Sequence, residues 1–115
     1  MLRSEIRMTD FGRALPSEVA DLRPAILVSN DLANTTAARF GRGVVTVVPV
    51  TSNVARLYPF QVALPAAETG LRVDSKAQAE QVRALPVARV GRLLGAVPGR
   101  LMAELDDALR LHLTL

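Results

Sequence analysis

The chain has 115 residues, half of them hydrophobic, with no cysteine and a formal net charge of +3. This length suits one hydrophobic core, and we expect residues 1–115 to form a single domain. The lack of cysteine excludes disulfides and thiolate metal sites, and no apolar run approaches the roughly 20 residues of a transmembrane helix. The first residues mix charges of both signs, so we predict a cytoplasmic protein without a secretory signal.

Arginine dominates the basic residues. It accounts for 13 of the 14, and Lys76 is the other one. A guanidinium matches phosphate oxygens in pairs and stacks on nucleobases, so this bias is compatible with a nucleic-acid partner. It is equally compatible with a GC-rich genome that favours arginine codons. A net charge of +3 does not separate these two explanations.

The first part of the chain predicts two strands joined by a long loop. Apolar residues from Ile6 to Phe11 alternate with polar ones, which is the pattern of a half-buried strand. Residues 12–22 are polar and irregular and predict a loop of about ten residues, longer than a typical connection. Residues 24–29 form a continuous apolar run, which predicts a central strand entered through its proline.

A short helix and a deeply buried strand are expected next. Ser29 or Asn30 is suited to cap the start of the helix, and Gly41 or Gly43 is suited to close it. Residues 44–50 contain five valines and a threonine, the strongest strand signal in the chain.

The second half predicts further strands and a terminal helix. Residues 60–64 alternate, and residues 73–85 form another extended stretch, which gives at least five strands. From Pro98 onward, residues recur at the three- and four-residue intervals of an amphipathic helix: Leu101, Met102, Leu105, Ala108, Leu109 and His112. These elements predict a β-rich α+β fold, with a small barrel-like antiparallel sheet, a short internal helix and a C-terminal helix.

Residue types exclude several kinds of chemistry. A zinc site needs three or four convergent ligands, but the chain has one histidine and no cysteine, so we expect no metal and no other cofactor. His112 falls on or beside the apolar stripe of the last helix, where packing is a simpler role than catalysis. RNA cleavage remains open, because the 2′-hydroxyl beside the scissile phosphate supplies the nucleophile and the protein need only orient and stabilise.

Three segments together resemble the MazF/PemK toxin family in order and spacing: residues 22–31 (LRPAILVSND), residues 46–53 (TVVPVTSN) and residues 58–62 (YPFQV). Residues 74–83 are similar to a later strand of that family, and the terminal helix also matches. The resemblance therefore covers nearly the whole chain. The sequence departs from the family pattern at Arg7, where tryptophan is common, and at Pro16, where glycine is common.

The resemblance implies a toxin that acts as a sequence-selective endoribonuclease. It implies a two-fold homodimer that binds single-stranded RNA across the dimer face and leaves 2′,3′-cyclic phosphate and 5′-hydroxyl ends. It also implies a cognate antitoxin, and a basic RNA groove would accept an acidic, disordered peptide that folds on binding.

The resemblance also implies the site residues. Arg23 and Thr51 match the positions that carry most of the catalysis in the family. An arginine at the mouth of a buried strand is suited to grip a phosphate bidentately, and the threonine hydroxyl is suited to donate to a phosphate oxygen. Because arginine stays protonated, another group has to accept the 2′-hydroxyl proton. The family's serine–glutamate pair matches Ser17 and Glu18, and we expect Glu18 to be this base or to grip the RNA.

Recognition of RNA is expected to rest on hydrogen bonds to unstacked base edges, because the chain has too few aromatic residues for stacking to dominate. Besides Ser17, the candidates for RNA contact are Ser52, Asn53, Arg56 and Gln78.

Two other functions stay open. A CcdB-like toxin shares the fold but binds DNA gyrase without cutting RNA, and an inactive relative would only bind RNA or sequester an antitoxin. The presence of Arg23, Thr51 and Ser52 favours the endoribonuclease over both.

Overall fold

A computed structural model of the chain describes residues 1–12 and 21–115. Within these ranges it contains seven strands: β1 (Glu5–Asp10), β2 (Leu22–Leu27), β3 (Val44–Thr51), β4 (Gln61–Leu64), β5 (Ser75–Gln78), β6 (Arg83–Pro86) and β7 (Val90–Ala96). The described helices are α1 (Asp31–Phe40), α2 (Ala66–Thr69) and α3 (Gly99–Leu113). No helix in this part of the chain is both long and apolar enough to cross a membrane.

The strands form one antiparallel sheet built around the valine-rich β3. The sheet order is β4-β5-β3-β2-β1-β7, and β6 also pairs with β3. One edge of β3 bonds to β2, while its other edge is shared between β6 near its start and β5 near its end. Among the described strands, β4 and β7 are the ends of the sheet, which does not close. The predicted β-rich α+β class is therefore confirmed.

Each face of the sheet carries a hydrophobic cluster. The first, here called the α3-side core, joins apolar residues of the sheet to one stripe of α3: Ile6, Ile26, Val48, Val50, Val62, Leu64, Leu101, Met102, Leu105 and Ala108 among others. The second, here called the α1-side core, contains Phe11, Ala25, Leu27, Ala37, Val45, Val47, Leu85, Val87 and Val90. Alternation along β2 and β3 sends neighbouring residues to opposite clusters, as the pleat of a strand requires.

Helix α1 begins and ends at residues that the sequence offers as alternatives for its caps. The side chain of Asn30 accepts a hydrogen bond from Ala33 N at 2.8 Å and caps α1, and Gly41 closes this helix with φ of 64°. Along α3, the predicted stripe is buried through Ala108, and Leu109 packs partly against the core. His112 is exposed in the last turn, so the expectation that it packs against the core was wrong.

Several elements differ from the expectations. Strand β2 begins at Leu22, so Pro24 lies inside it instead of at its start. The missing N–H of Pro24 costs no bond to β3, because that pairing begins only at Ala25. The stretch 73–85 forms two strands separated by a short 3₁₀ turn, and neither α2 nor β7 was predicted. Strand β7 contains two glycines, which weaken its sequence signal.

Candidate functional site

A cleft of about 620 Å³ opens where β2 begins and β3 ends. Arg23, Thr51 and Ser52 all line it, so the structure brings the predicted catalytic pair together. The sheet register explains this proximity. Ala25 of β2 is opposite Pro49 of β3. Arg23 precedes Ala25 by two residues and Thr51 follows Pro49 by two residues, so both lie at the same end of this antiparallel pair. The same cleft is bounded by residues 70–73, which follow α2, and by residues 92–94 of β7.

The cleft is basic. The charged side chains among the described residues that line it are three arginines: Arg23, Arg72 and Arg92. Hydroxyl groups of Thr51, Ser52 and Ser75 lie among the lining residues. A concave surface with several guanidinium groups and hydroxyl donors attracts a polyanion and holds its phosphates.

Arg23 is held from two directions. Its Nε atom lies 3.1 Å from Oδ1 of Asp21. This contact is an ion pair by distance, although Nε does not meet hydrogen-bond geometry with any of the described residues. Its guanidinium carbon lies over the ring of Phe11, 4.8 Å from the ring centre, and Arg83 approaches the same ring at 5.5 Å. Cation–π attraction and the ion pair therefore both restrain the Arg23 head group.

Thr51 ends β3 at the start of a tight turn. Its Oγ1 accepts a hydrogen bond from Asn53 N at 3.2 Å, and Oδ1 of Asn53 accepts one from Ala55 N at 3.3 Å. These local bonds fix the chain just beyond the strand. Because Oγ1 acts as the acceptor here, its hydrogen is able to donate to a phosphate oxygen in the cleft.

The chain beyond this turn is anchored by the single lysine. Lys76 pairs with Thr51 across β3 and β5, and its side chain is buried. Its ammonium donates to the carbonyl oxygen of Arg56 at 2.7 Å and lies 5.9 Å from the ring centre of Tyr58. Lys76 thus ties residues 56–58 to the sheet, while the guanidinium of Arg56 stays exposed and donates to the Tyr58 hydroxyl at 3.4 Å.

Gln78 lies at the other end of β5, away from the residues that line the cleft. It is opposite Gln61 in β4, and Gln61 Nε2 donates to Glu80 Oε2 at 2.8 Å. The Oε1 atoms of Gln78 and Glu80 are buried and have no hydrogen-bond partner among the described residues. This group is separate from Arg23 and Thr51 along the sheet.

The predicted site residues therefore fall into three groups. Arg23, Thr51 and Ser52 share the cleft, whereas Asn53, Arg56 and Gln78 lie outside its lining. Ser17 and Glu18 lie outside the described residues.

Sequence reasoning missed Arg72, Arg92 and Asp21. The arginine bias was the only signal for the first two, and it could not locate them because neither α2, which precedes Arg72, nor β7, which contains Arg92, was predicted. Within residues 1–12 and 21–115, no three His, Asp or Glu side chains come together as a potential metal site.

Comparison with known proteins extends over the whole chain. Residues 2–113 match the family model described as PemK-like, MazF-like toxin of type II toxin-antitoxin system. Endoribonuclease MazF9 of Mycobacterium tuberculosis is 56% identical over 115 residues, which cover 100% of this chain and 98% of that protein.

Solved structures share the fold. A MazE-MazF complex from Deinococcus radiodurans matches with a TM-score of 0.77 and 27% identity, covering 100% of this chain and 97% of that chain. An endoribonuclease in complex with its cognate antitoxin from a mycobacterial species matches with a TM-score of 0.78, covering 100% and 96% of the two chains. At 24% identity, this second likeness concerns the fold alone.

Proposed function

The chain belongs to the PemK/MazF family of toxins of type II toxin–antitoxin systems, and we propose from this that it is an endoribonuclease that cleaves single-stranded RNA sequence-selectively without a metal ion. The observation that carries the proposal is the position of Arg23 and Thr51 in one arginine-rich cleft. Arg23 and Thr51 are 28 positions apart in the chain, and the pairing of β2 with β3 brings them to the same cleft. Residues 1–115 are proposed to form one toxin domain.

The reaction uses the RNA's own nucleophile. The 2′-oxygen attacks the neighbouring phosphorus, the bond from phosphorus to the 5′-oxygen breaks, and the products are a 2′,3′-cyclic phosphate and a 5′-hydroxyl. Arg23 binds the non-bridging oxygens, and the Thr51 hydroxyl donates to one of them as negative charge builds on the phosphorane. Held donors of this kind are effective because they need no reorganisation when the charge develops.

The reaction also needs a group that accepts the proton of the 2′-hydroxyl and a group that gives a proton to the 5′-oxygen. We assign Glu18 as the acceptor of the 2′-hydroxyl proton, and the leaving 5′-oxygen takes a proton from water. The assignment follows from the resemblance of Ser17 and Glu18 to the family's serine–glutamate pair, together with the fact that a guanidinium is too weak a base. A Glu18→Gln variant should lose the acidic limb of the pH–rate profile and cleave more slowly. Cleavage at the native rate across pH would remove Glu18 from this role.

RNA recognition involves residues on both sides of the catalytic pair. We propose that Ser17, Ser52, Asn53, Arg56 and Gln78 contact the RNA. Ser52 lines the cleft, and the exposed Asn53 and Arg56 follow it in the chain. Arg72 and Arg92 add phosphate contacts that are independent of sequence.

The active form is proposed to be a two-fold homodimer that acts in the cytoplasm and is inhibited by a cognate antitoxin. Related toxins have been solved as complexes with antitoxins, among them the MazE-MazF complex from Deinococcus radiodurans. An acidic peptide would compete with RNA for the same arginines, because both carry negative charge.

The decisive experiment is incubation of the purified protein with a long single-stranded RNA in excess EDTA, with the fragment ends mapped. We expect discrete cuts with cyclic-phosphate ends. Arg23→Ala should reduce kcat/KM by about 100- to 1,000-fold and Thr51→Val by about 10- to 100-fold, because each removes a donor to the developing charge.

Arg42→Ala serves as the matched control, because this arginine is exposed beside α1 and does not line the cleft. It should cleave at nearly the wild-type rate. No cleavage by a folded wild-type dimer would instead favour a gyrase-binding or inactive toxin.

A further inference from the structure

Asp21 has no role in the mechanism above, but its carboxylate lies beside Arg23, the residue that binds the phosphate in that mechanism. Asp21 immediately precedes β2, and an extended backbone carries residues two positions apart on the same side, so Asp21 and Arg23 face the same way. Asp21 Oδ1 lies 3.1 Å from Arg23 Nε, with the two side chains 49% and 38% exposed. A substrate is thus able to reach the guanidinium while the pair stays in place.

The main chain holds Asp21 independently of its carboxylate. Phe11 N donates to the carbonyl oxygen of Asp21 at 2.8 Å, and Asp21 N donates to the carbonyl oxygen of Gly12 at 3.1 Å. These bonds extend the pairing of β1 with β2, in which Asp10 is opposite Leu22. A substitution of the Asp21 side chain therefore leaves the position of its backbone supported.

The contacts of Arg23 divide the surface of its guanidinium. Asp21 faces the Nε edge, and the Phe11 ring faces the plane of the head group. The two terminal Nη groups form the remaining edge, and their spacing matches two oxygens of one phosphate. The pair and the ring together prevent the head group from turning this edge away.

We propose that Asp21 is a positioning residue for RNA cleavage: its carboxylate holds the Nε edge of Arg23, against the Phe11 ring, so that the Nη edge faces the scissile phosphate. The inference rests on the proposed function, in which Arg23 binds that phosphate. Asp21 touches neither the RNA nor the reacting atoms and acts through Arg23. The phosphate and the carboxylate are able to contact Arg23 at the same time, because they use different edges of one guanidinium.

Cleavage of a short single-stranded RNA by Asp21→Ala and Asp21→Asn tests this role. Asp21→Ala should lower kcat about tenfold, because the guanidinium is no longer held in its reactive orientation. Asp21→Asn retains an acceptor oxygen and should lose about threefold, intermediate between Asp21→Ala and the wild type. KM should stay unchanged or fall, because a negative charge has been removed beside a phosphate site.

Asp107→Asn is the matched control for net charge. Asp107 lies exposed on α3 and pairs with Arg110 Nη1 at 3.0 Å, so the variant makes the same change of charge away from the cleft. It should leave kcat unchanged. A fall in kcat of the same size in Asp107→Asn would assign the effect to net charge and overturn the inference.

A second measurement reports the contact without any reaction. The Nε atom of Arg23 is buried beside the Asp21 carboxylate, so its N–H resonance, identified by its loss in Arg23→Lys, should exchange slowly with water in the wild type and faster in Asp21→Ala. Equal exchange in the two proteins would overturn the inference, as would a wild-type or increased kcat in Asp21→Ala. Failure of the proposed function has a different signature: the folded wild-type protein would then not cleave the RNA, or Arg23→Ala would cleave it at the wild-type rate.

Discussion

The two faces of the sheet are packed by different means. The α3-side core consists of aliphatic and methionine side chains and is covered by the buried stripe of α3. The α1-side core receives Ala37 from α1 and contains Phe11, whose ring carries the guanidinium groups of Arg23 and Arg83. One face is thus closed by a helix, while the Phe11 ring on the other face carries two guanidinium groups, of which that of Arg23 belongs to a residue that also lines the cleft.

This difference separates stability from chemistry. Aliphatic packing under α3 contributes to the free energy of unfolding without presenting any polar group to a substrate. The Phe11 ring instead joins a core to a charged site, because the residue is buried in the apolar cluster while its ring attracts guanidinium groups. Substitutions on the two faces should therefore affect different measurements.

The largest effect on stability is expected from Leu105→Ala in the α3-side core. Leu105 is fully buried, and its truncation leaves a cavity between α3 and the sheet, so the free energy of unfolding should fall by about 3 kcal/mol. Denaturant unfolding measures this change. Leu111→Ala on the same helix is the control, because Leu111 is 58% exposed and its truncation should change stability by less than about 0.5 kcal/mol.

RNA cleavage by Leu105→Ala tests whether the two faces of the sheet act independently. At a temperature where Leu105→Ala is still folded, its kcat on single-stranded RNA should remain close to the wild-type value. A large loss of kcat in the folded protein would show that the two faces are not independent.

Gly95→Ala should have the next largest effect, because Gly95 packs closely against Thr69 and Gly70, where the chain enters the cleft wall. An added Cβ at Gly95 would collide with the carbonyl oxygen of Thr69, just before residues 70–73 of the cleft wall. We expect a loss of about 2 kcal/mol in thermal or denaturant unfolding. Gly99→Ala, at the start of α3, has open space around the new Cβ and should be neutral or slightly stabilising. Equal losses in both variants would contradict this account.

The smallest effect is expected at Glu5, in a polar pair on β1. Burial raises the pKa of the Glu5 carboxyl, but hydrogen bonds from Leu2 N and Arg7 Nε, each 3.0 Å long, outweigh it and lower the pKa below its ordinary value. A lowered pKa means that the ionised form is favoured in the folded state. The ionised Glu5 therefore stabilises the folded protein at neutral pH. This stabilisation is lost as the pH falls through the ordinary pKa of a glutamate and then through the lower pKa that Glu5 has in the folded state.

Glu5→Gln should accordingly reduce stability by about 1 kcal/mol at pH 7, and the difference from the wild type should narrow below about pH 4. Glu104→Gln, an exposed carboxylate 3.6 Å from Arg100, is the control and should change stability by less than about 0.5 kcal/mol at pH 7. A difference at Glu5 that stays constant with pH would contradict the assignment to the ionised pair. Neither variant should alter kcat, since neither carboxylate lines the cleft.

Local patterns predicted much of the fold. The valine run of β3 and the apolar stripe of α3 each depend on neighbours within a few residues, so the sequence alone identifies them. For α1 the sequence offered two residues at each end, and the structure selects Asn30 and Gly41. Strand β7 was not predicted because its two glycines weaken the strand signal. The reason for a glycine at position 95 is a tertiary contact, the close approach of the Thr69 backbone, which the local sequence does not show. The expected packing role of His112 failed because the buried stripe of α3 ends at Ala108, and residues 110–115 are exposed.

The sequence by itself determined the family, the β-rich fold and the choice of Arg23 and Thr51, because the segments that carry them are continuous in the chain. Only the tertiary structure decided which groups surround them. The register between β2 and β3 brings Arg23 to Thr51, β7 adds Arg92, and the pairing that joins Phe11 to Asp21 sets a ring and a carboxylate against the guanidinium. Strand register depends on contacts between distant segments, so no local pattern reveals it.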